Sequence, residues 1–300
     1  MIARRLLLTA ALAFLAIRLS GVTEEWHATH WNGEEAVTSK NDGWMAIVSI
    51  DRARLVWYGP VGGPNLLFST ATRDDPAGWG GHRLWLGPQH DWPAYWPPPG
   101  AWEHSRAKSV ALDQHNRLRL ELFEAGNGWP KLARTYRWHG ADMICGAEME
   151  GGKRPAQVIQ IVQIPKSSLV HVAAFPDAFA PRGYVRLPAG SVQQLTTEFQ
   201  PPPQVSGNGH LLELHYNGTV EKLGFAPEVL GATDGPWKLG VVRGPHTGHP
   251  ESEPDHGYFS QVFLGSHEPF IELEQLSPMF PAGETATFEI ALRAVPDRGR

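Results

Sequence analysis

From Trp44 to Val295, apolar residues recur at every second position in short runs, and Gly, Pro, Asn or Asp separates one run from the next. In RLRLELFE (117–124), Leu118, Leu120 and Leu122 fall on one side and Arg119 and Glu121 on the other. The same alternation predicts strands over 131–140, 143–150, 156–164, 168–175, 210–216, 237–243, 258–265, 269–276 and 286–295. WMAIVSI (44–50) and ARLVWYG (53–59) are two residues apart and predict a hairpin. No stretch beyond residue 21 keeps a 3.6-residue apolar period through three turns, and the absence of a blade repeat argues against a propeller. More than a dozen strands with no dividing linker predict one all-β domain of stacked, mostly antiparallel sheets over 41–296. A polar lead-in, 22–40, precedes it and a short tail, 297–300, follows.

The first 21 residues differ from the rest. Arg4 and Arg5 precede an apolar run from Leu6 to Ile17, which is short for a membrane span and suits a signal peptide, with an uncleaved anchor as the alternative. The expectation is export to a bacterial periplasm or the cell exterior, with membrane contact only through this segment if it is retained. A net charge of −5 with no basic run gives no reason to expect a nucleic-acid partner. The single cysteine, Cys145, lies in a strand-like run and reads as a packed thiol.

Four segments carry candidate chemistry. In PFIELEQLSP (269–278), alternation puts Phe270, Glu272, Glu274 and Leu276 on one face and Ile271, Leu273 and Gln275 on the other. Two carboxylates on one face either meet a ligand or form a solvated outer surface, and their mutual repulsion calls for a nearby cation. GGHRLWLGPQHDWPAYWPPPGAW (80–102) reads as a proline-stiffened loop. It combines His82, Arg83, Gln89 and His90 with Trp85, Trp92, Trp96 and Trp102. Sugars present C–H faces to aromatic rings and hydroxyls to Arg, His, Gln and carboxylates, so such a loop suits a carbohydrate. Two or three of the tryptophans are expected to serve only as core. In AQVIQIVQIP, strict alternation puts Gln160 and Gln163 on opposite faces. The His-rich loop 244–259 offers metal-ligand types without a helix to fix them, so no metal or cofactor is assigned. No nucleotide-binding, serine-hydrolase or zinc-protease motif appears.

NDGWMAIVSIDRARLVWYGPVGGPNLLF resembles the opening of galactose-mutarotase-like proteins. GGHRLWLGPQ with the following WPP, TDGPWKLG, and PFIELEQLSPMFPAGETATFEI are similar to a bacterial family within that superfamily, the DUF4380 family of unknown function. The likeness spans roughly Asn41 to Val295. It implies a β-supersandwich with a mono- or oligosaccharide site on a concave face. In mutarotases a late glutamate is the base, a mid-chain histidine the acid, and an arginine holds hydroxyls. By resemblance, Glu272 or Glu274 stands for the base and Arg83 for the arginine. The mid-chain His-Pro phrase is missing, and Gln163 stands near its place. His82 or His90 is then the substitute acid, while Gln163, Lys238 and the residues of 83–102 hold the ligand.

Three functions fit these residues. An exported carbohydrate-binding protein needs only the site. An aldose 1-epimerase-like enzyme needs a Glu base and an acid besides. A polysaccharide lyase or hydrolase is the third, supported only by the loop at 246–256.

Overall fold

The computed structural model describes residues 25–72, 74, 78–93, 97–176, 180–189, 205–207, 210–265 and 267–297. The expected signal peptide and Trp96 lie outside the described residues. The strands, in chain order, are β1 (His27–Trp31), β2 (Glu34–Asn41), β3 (Trp44–Ser49), β4 (Arg54–Pro60), β5 (His82–Gly87), β6 (Ser109–Leu112) and β7 (Leu118–Glu121). Next come β8 (Lys131–His139), β9 (Asp142–Glu150), β10 (Gln157–Pro165), β11 (Leu169–Ala173), β12 (Tyr184–Arg186), β13 (Val205–Gly207) and β14 (Leu211–Leu214). The last are β15 (Glu221–Phe225), β16 (Val229–Asp234), β17 (Trp237–His246), β18 (Ser260–Leu264), β19 (Phe270–Leu276) and β20 (Thr285–Pro296).

Every strand predicted from alternation is present, and the 44–59 hairpin is β3–β4. Two expectations need correction. The polar lead-in is structured: β1 and β2 join β3 and β4 in a four-stranded meander. Its turns are Asn32-Gly33 and Asp42-Gly43, all four residues at positive φ, as two-residue hairpin turns require. The segment at 82–87, read as a loop, is β5, buried at every position.

The remaining strands form a six-stranded sheet, β12-β15-β18-β19-β10-β5, and a ten-stranded sheet, β13-β14-β11-β16-β17-β20-β9-β8-β7-β6. Pairing within all three sheets is antiparallel. One continuous core joins Leu84, Val158, Val162 and Leu273 of the six-stranded sheet to Tyr136, Phe288 and Ile290 of the ten-stranded one. Gln160 Nε2 donates to the Phe288 carbonyl at 2.9 Å, so the two sheets are hydrogen-bonded as well as packed. The meander reaches the same layer, where Tyr58 Oη donates to the Leu292 carbonyl at 3.0 Å. Cys145 lies in this core, and burial pushes its thiol pKa well up, which leaves it inert.

Candidate functional site

The face of the six-stranded sheet opposite His82 and Gln160 carries the two glutamates with their cations, among apolar neighbours. Register defines its rows. Arg83, Ile161, Glu274 and Gln261 face one another across β5, β10, β19 and β18. The next row is Gln163, Glu272, Phe263 and Lys222, on β10, β19, β18 and β15. Trp85, Ile159 and Leu276 form the third. Glu272 and Glu274 therefore share a face, as alternation requires, but that face is not solvated. Their residues are 6% and 3% exposed, which removes the outer-surface alternative.

Buried carboxylates need partners, and each has a cation. Arg83 Nη1 donates to Glu272 Oε1 at 3.0 Å and Lys222 Nζ to Glu274 Oε2 at 3.0 Å. Gln163 Nε2 donates to the same Glu272 oxygen at 2.9 Å. Burial drives the Glu272 carboxyl up to about 7; Arg83 opposes the rise and Glu274 adds to it. A carboxyl at that level exchanges its proton near neutral pH.

A cleft of about 180 Å³ opens on this face. Ile159, Leu276 and Pro188 give it apolar surface, and Gln157, Gln261, Glu274 and Lys222 line it with hydrogen-bonding groups. Gln89 and His90 enter from the segment after β5, and Asp255 and His256 from a 3₁₀ turn before β18. Gln157 Oε1 accepts from the Asp255 amide at 2.8 Å and so fixes that turn at the edge. Asp255 Oδ2 lies 3.9 Å from a ring nitrogen of both His90 and His256. Gln157 Nε2 and Gln163 Oε1 are buried without a hydrogen-bond partner among the described residues, an uncommon state for amide groups.

The other expected site residues divide. His82 points the opposite way from Arg83, into the core between the sheets. Its Nε2 is 2.9 Å from Gln160 Oε1 and its Nδ1 3.3 Å from Tyr136 Oη. Burial, aided by Arg134, lowers its pKa to about 3, so it is a neutral core histidine and not an acid at this face. Trp85, Trp92 and Trp102 are 4%, 5% and 1% exposed, so they present no free ring face. Trp85 and Trp92 pack edge to face, as do Trp102 and Trp129. Lys238 lies on β17 of the ten-stranded sheet and pairs with Asp297 at 2.8 Å. It is absent from the cleft lining, as are Arg83, Gln163 and Glu272, so Glu274 is the expected carboxylate that lines the cleft.

Sequence reasoning missed Glu103, Lys222, Gln157 and Gln261. Glu103 ends a helical turn, α1 (Gly100–Glu103), and reaches Arg83, Arg54 and Trp85. Asp255 and His256 belong to the loop that the sequence offers as a source of metal-ligand types and as the support for a lyase or hydrolase. Among the described residues, no group of three or more His, Cys, Asp or Glu is placed to hold a metal.

No family model and no curated protein matches the sequence. Solved structures match the fold. A candidate aldose 1-epimerase from Escherichia coli K12 superposes with a TM-score of 0.61 at 11% identity, covering 86% of this chain and 98% of that one. A galactose mutarotase-like protein from Lactobacillus casei gives 0.59 at 11% identity, over 87% and 100%. A galactose 1-epimerase from Lactobacillus acidophilus gives 0.50 at 11%, over 89% and 97%. The architecture is thus the galactose mutarotase-like stack of antiparallel sheets, and identity this low carries the fold alone.

Proposed function

We propose that the protein binds a mono- or oligosaccharide in the cleft on the outer face of the six-stranded sheet. One observation carries this: an apolar floor ringed by Gln157, Gln261, Glu274, Lys222 and His90, donors and acceptors of the kinds that sugar hydroxyls pair with. The cavity holds roughly ten times the volume that one water needs. The aromatic platform expected from the tryptophans plays no part, since the described ones are packed inside. The same proposal places the protein outside the cytoplasm, on the Arg4–Ile17 pattern, and within the DUF4380 family, on the GGHRLW and ELEQLSP phrases.

Aldose 1-epimerase-like turnover is the second reading, and the Glu272 carboxyl held at about 7 favours it. In that reaction a base takes the anomeric hydroxyl proton while an acid gives one to the ring oxygen. The ring C–O bond opens, the chain rotates, and the ring closes on the other face. Glu272 is the group suited to the base; it sits on the same strand face as Glu274, which lines the cleft, and is not itself part of the lining. With His82 facing the core, His90 or His256 at the cleft is the available acid.

NMR exchange spectroscopy of a panel of aldoses with the purified protein tests both readings. Line broadening of one sugar without faster α–β exchange supports binding alone, and faster exchange supports the epimerase. Neither effect for any mono- or oligosaccharide would sink the proposal.

A further inference from the structure

Arg83 stands between two carboxylates. Its Nε lies 3.2 Å from Glu103 Oε1, an ion-pair contact without hydrogen-bond geometry, and its Nη1 donates to Glu272 Oε1 at 3.0 Å. Glu103 is itself held on several sides. Arg54 Nη1 donates to Oε1 at 3.3 Å, Arg54 Nη2 lies 3.2 Å from Oε2, and the Trp85 indole donates to Oε2 at 2.9 Å. Burial alone would raise this carboxyl, but Arg54 and Arg83 outweigh it and hold the pKa at about 2. A buried, permanently charged carboxylate therefore competes with Glu272 for one guanidinium.

We propose that Glu103 is a positioning residue beside the ligand site: by holding part of the Arg83 guanidinium, it keeps Arg83 from neutralising Glu272 fully and leaves Glu272, on the strand face it shares with the cleft residue Glu274, able to take and return a proton. The proposal rests on the outer face being the ligand site. The groups facing Glu272 bear it out element by element. β5 supplies Arg83 and α1 supplies Glu103 behind it. β10 supplies the neutral donor Gln163 and β18 supplies Phe263. Glu274 is the second carboxylate on β19; Lys222 of β15 pairs with it at 3.0 Å and also favours the charged form of Glu272 through space. Arg83 is thus the cation that contacts Glu272 directly among the described residues, and Glu103 controls how much of it Glu272 receives.

Structural support alone predicts that changing Glu103 lowers stability and leaves Glu272 titrating where it did. Charge sharing predicts a signed movement. The test is ¹³C NMR titration of carboxyl-labelled glutamates in the full chain, with the Glu272 signal assigned by its loss in Glu272→Gln. In Glu103→Gln the Glu272 midpoint should fall by about one pH unit or more, because Arg83 is released to it. Glu103→Asp, which keeps the charge, should restore the midpoint most of the way. A Glu103→Gln protein that folds and leaves the midpoint unmoved or raised overturns the proposal. Should Glu103→Gln not fold, Trp85→Phe carries the test. Loss of the indole donor returns more of the Glu103 charge to Arg83, so the Glu272 midpoint must rise, and an unmoved or lower midpoint overturns the proposal. No sugar enters these titrations, so their failure is distinct from failure of the carbohydrate reading, which only the ligand panel decides.

Discussion

Two buried residues on opposite faces of the six-stranded sheet respond to acid in opposite ways. Glu272, at about 7 when folded, lies above the ordinary glutamate value of 4.5. A raised carboxyl contributes stability that is full below the unfolded value and is lost as pH rises through 7. His82, at about 3, lies below the ordinary 6.5. A depressed histidine contributes stability that is full above 6.5 and is lost as pH falls toward 3. Between pH 4.5 and 6.5 the two slopes nearly cancel. Glu272→Gln removes one of them, so that variant should lose stability relative to the wild type progressively on acidification across this window. Denaturant unfolding at pH 6.5, 5.5 and 4.5 reads the difference, and parallel curves for the two proteins would refute the assignment. The same two residues show what alternation can deliver. It settles which face Glu272 occupies, but not whether that face is dry, because its partners Arg83 and Gln163 are distant in sequence.

Among the elements, β5 matters most, since it carries Arg83 outward and His82 inward. It is seated by a close backbone approach: a Cβ on Gly81 would lie 2.3 Å from the Leu55 carbonyl oxygen, and φ there is +79°. Gly81→Ala should cost on the order of 3 kcal/mol by denaturant unfolding, from strain and collision together. Gly62→Ala, at φ +75° with open space around it, meets strain alone and should cost about 1 kcal/mol. Equal losses would mean that the approach to Leu55 does not seat the strand. β5 was not legible as a strand because its signal is a continuous buried run beside glycines and prolines, with no polar alternation. β1 and β2 carry strong hairpin signals in Asn32-Gly33 and Asp42-Gly43, but the polar residues around the first turn hide the apolar alternation that marks a strand. β15, which supplies Lys222, is a five-residue strand with a glycine in it, too short for periodicity to resolve.

For the whole molecule, the stack explains the position of the cleft. One face of the six-stranded sheet is consumed by the core against the ten-stranded sheet, so polar residues there, such as His82 and Gln160, are satisfied internally. The other face keeps its charges paired with one another and leaves room beside Glu274. The fold class and the pairing of the two glutamates followed from strand patterning. The rest of the site did not, because Glu103, Lys222, Asp255 and His256 meet it only through long-range topology. Binding should follow the same division of faces. Lys238→Met, on the ten-stranded sheet, should leave sugar affinity unchanged, whereas Glu274→Gln should weaken it about tenfold or more, as titration calorimetry would show.

The most direct measurement is a crystal structure of the protein soaked with the aldose that responds in the NMR panel. The account predicts a sugar in the cleft between His90 and Glu274, with ring hydroxyls hydrogen-bonded to at least two of Gln157, Gln261, Lys222 and Glu274. A sugar ordered elsewhere, with this cleft holding only water, would contradict it.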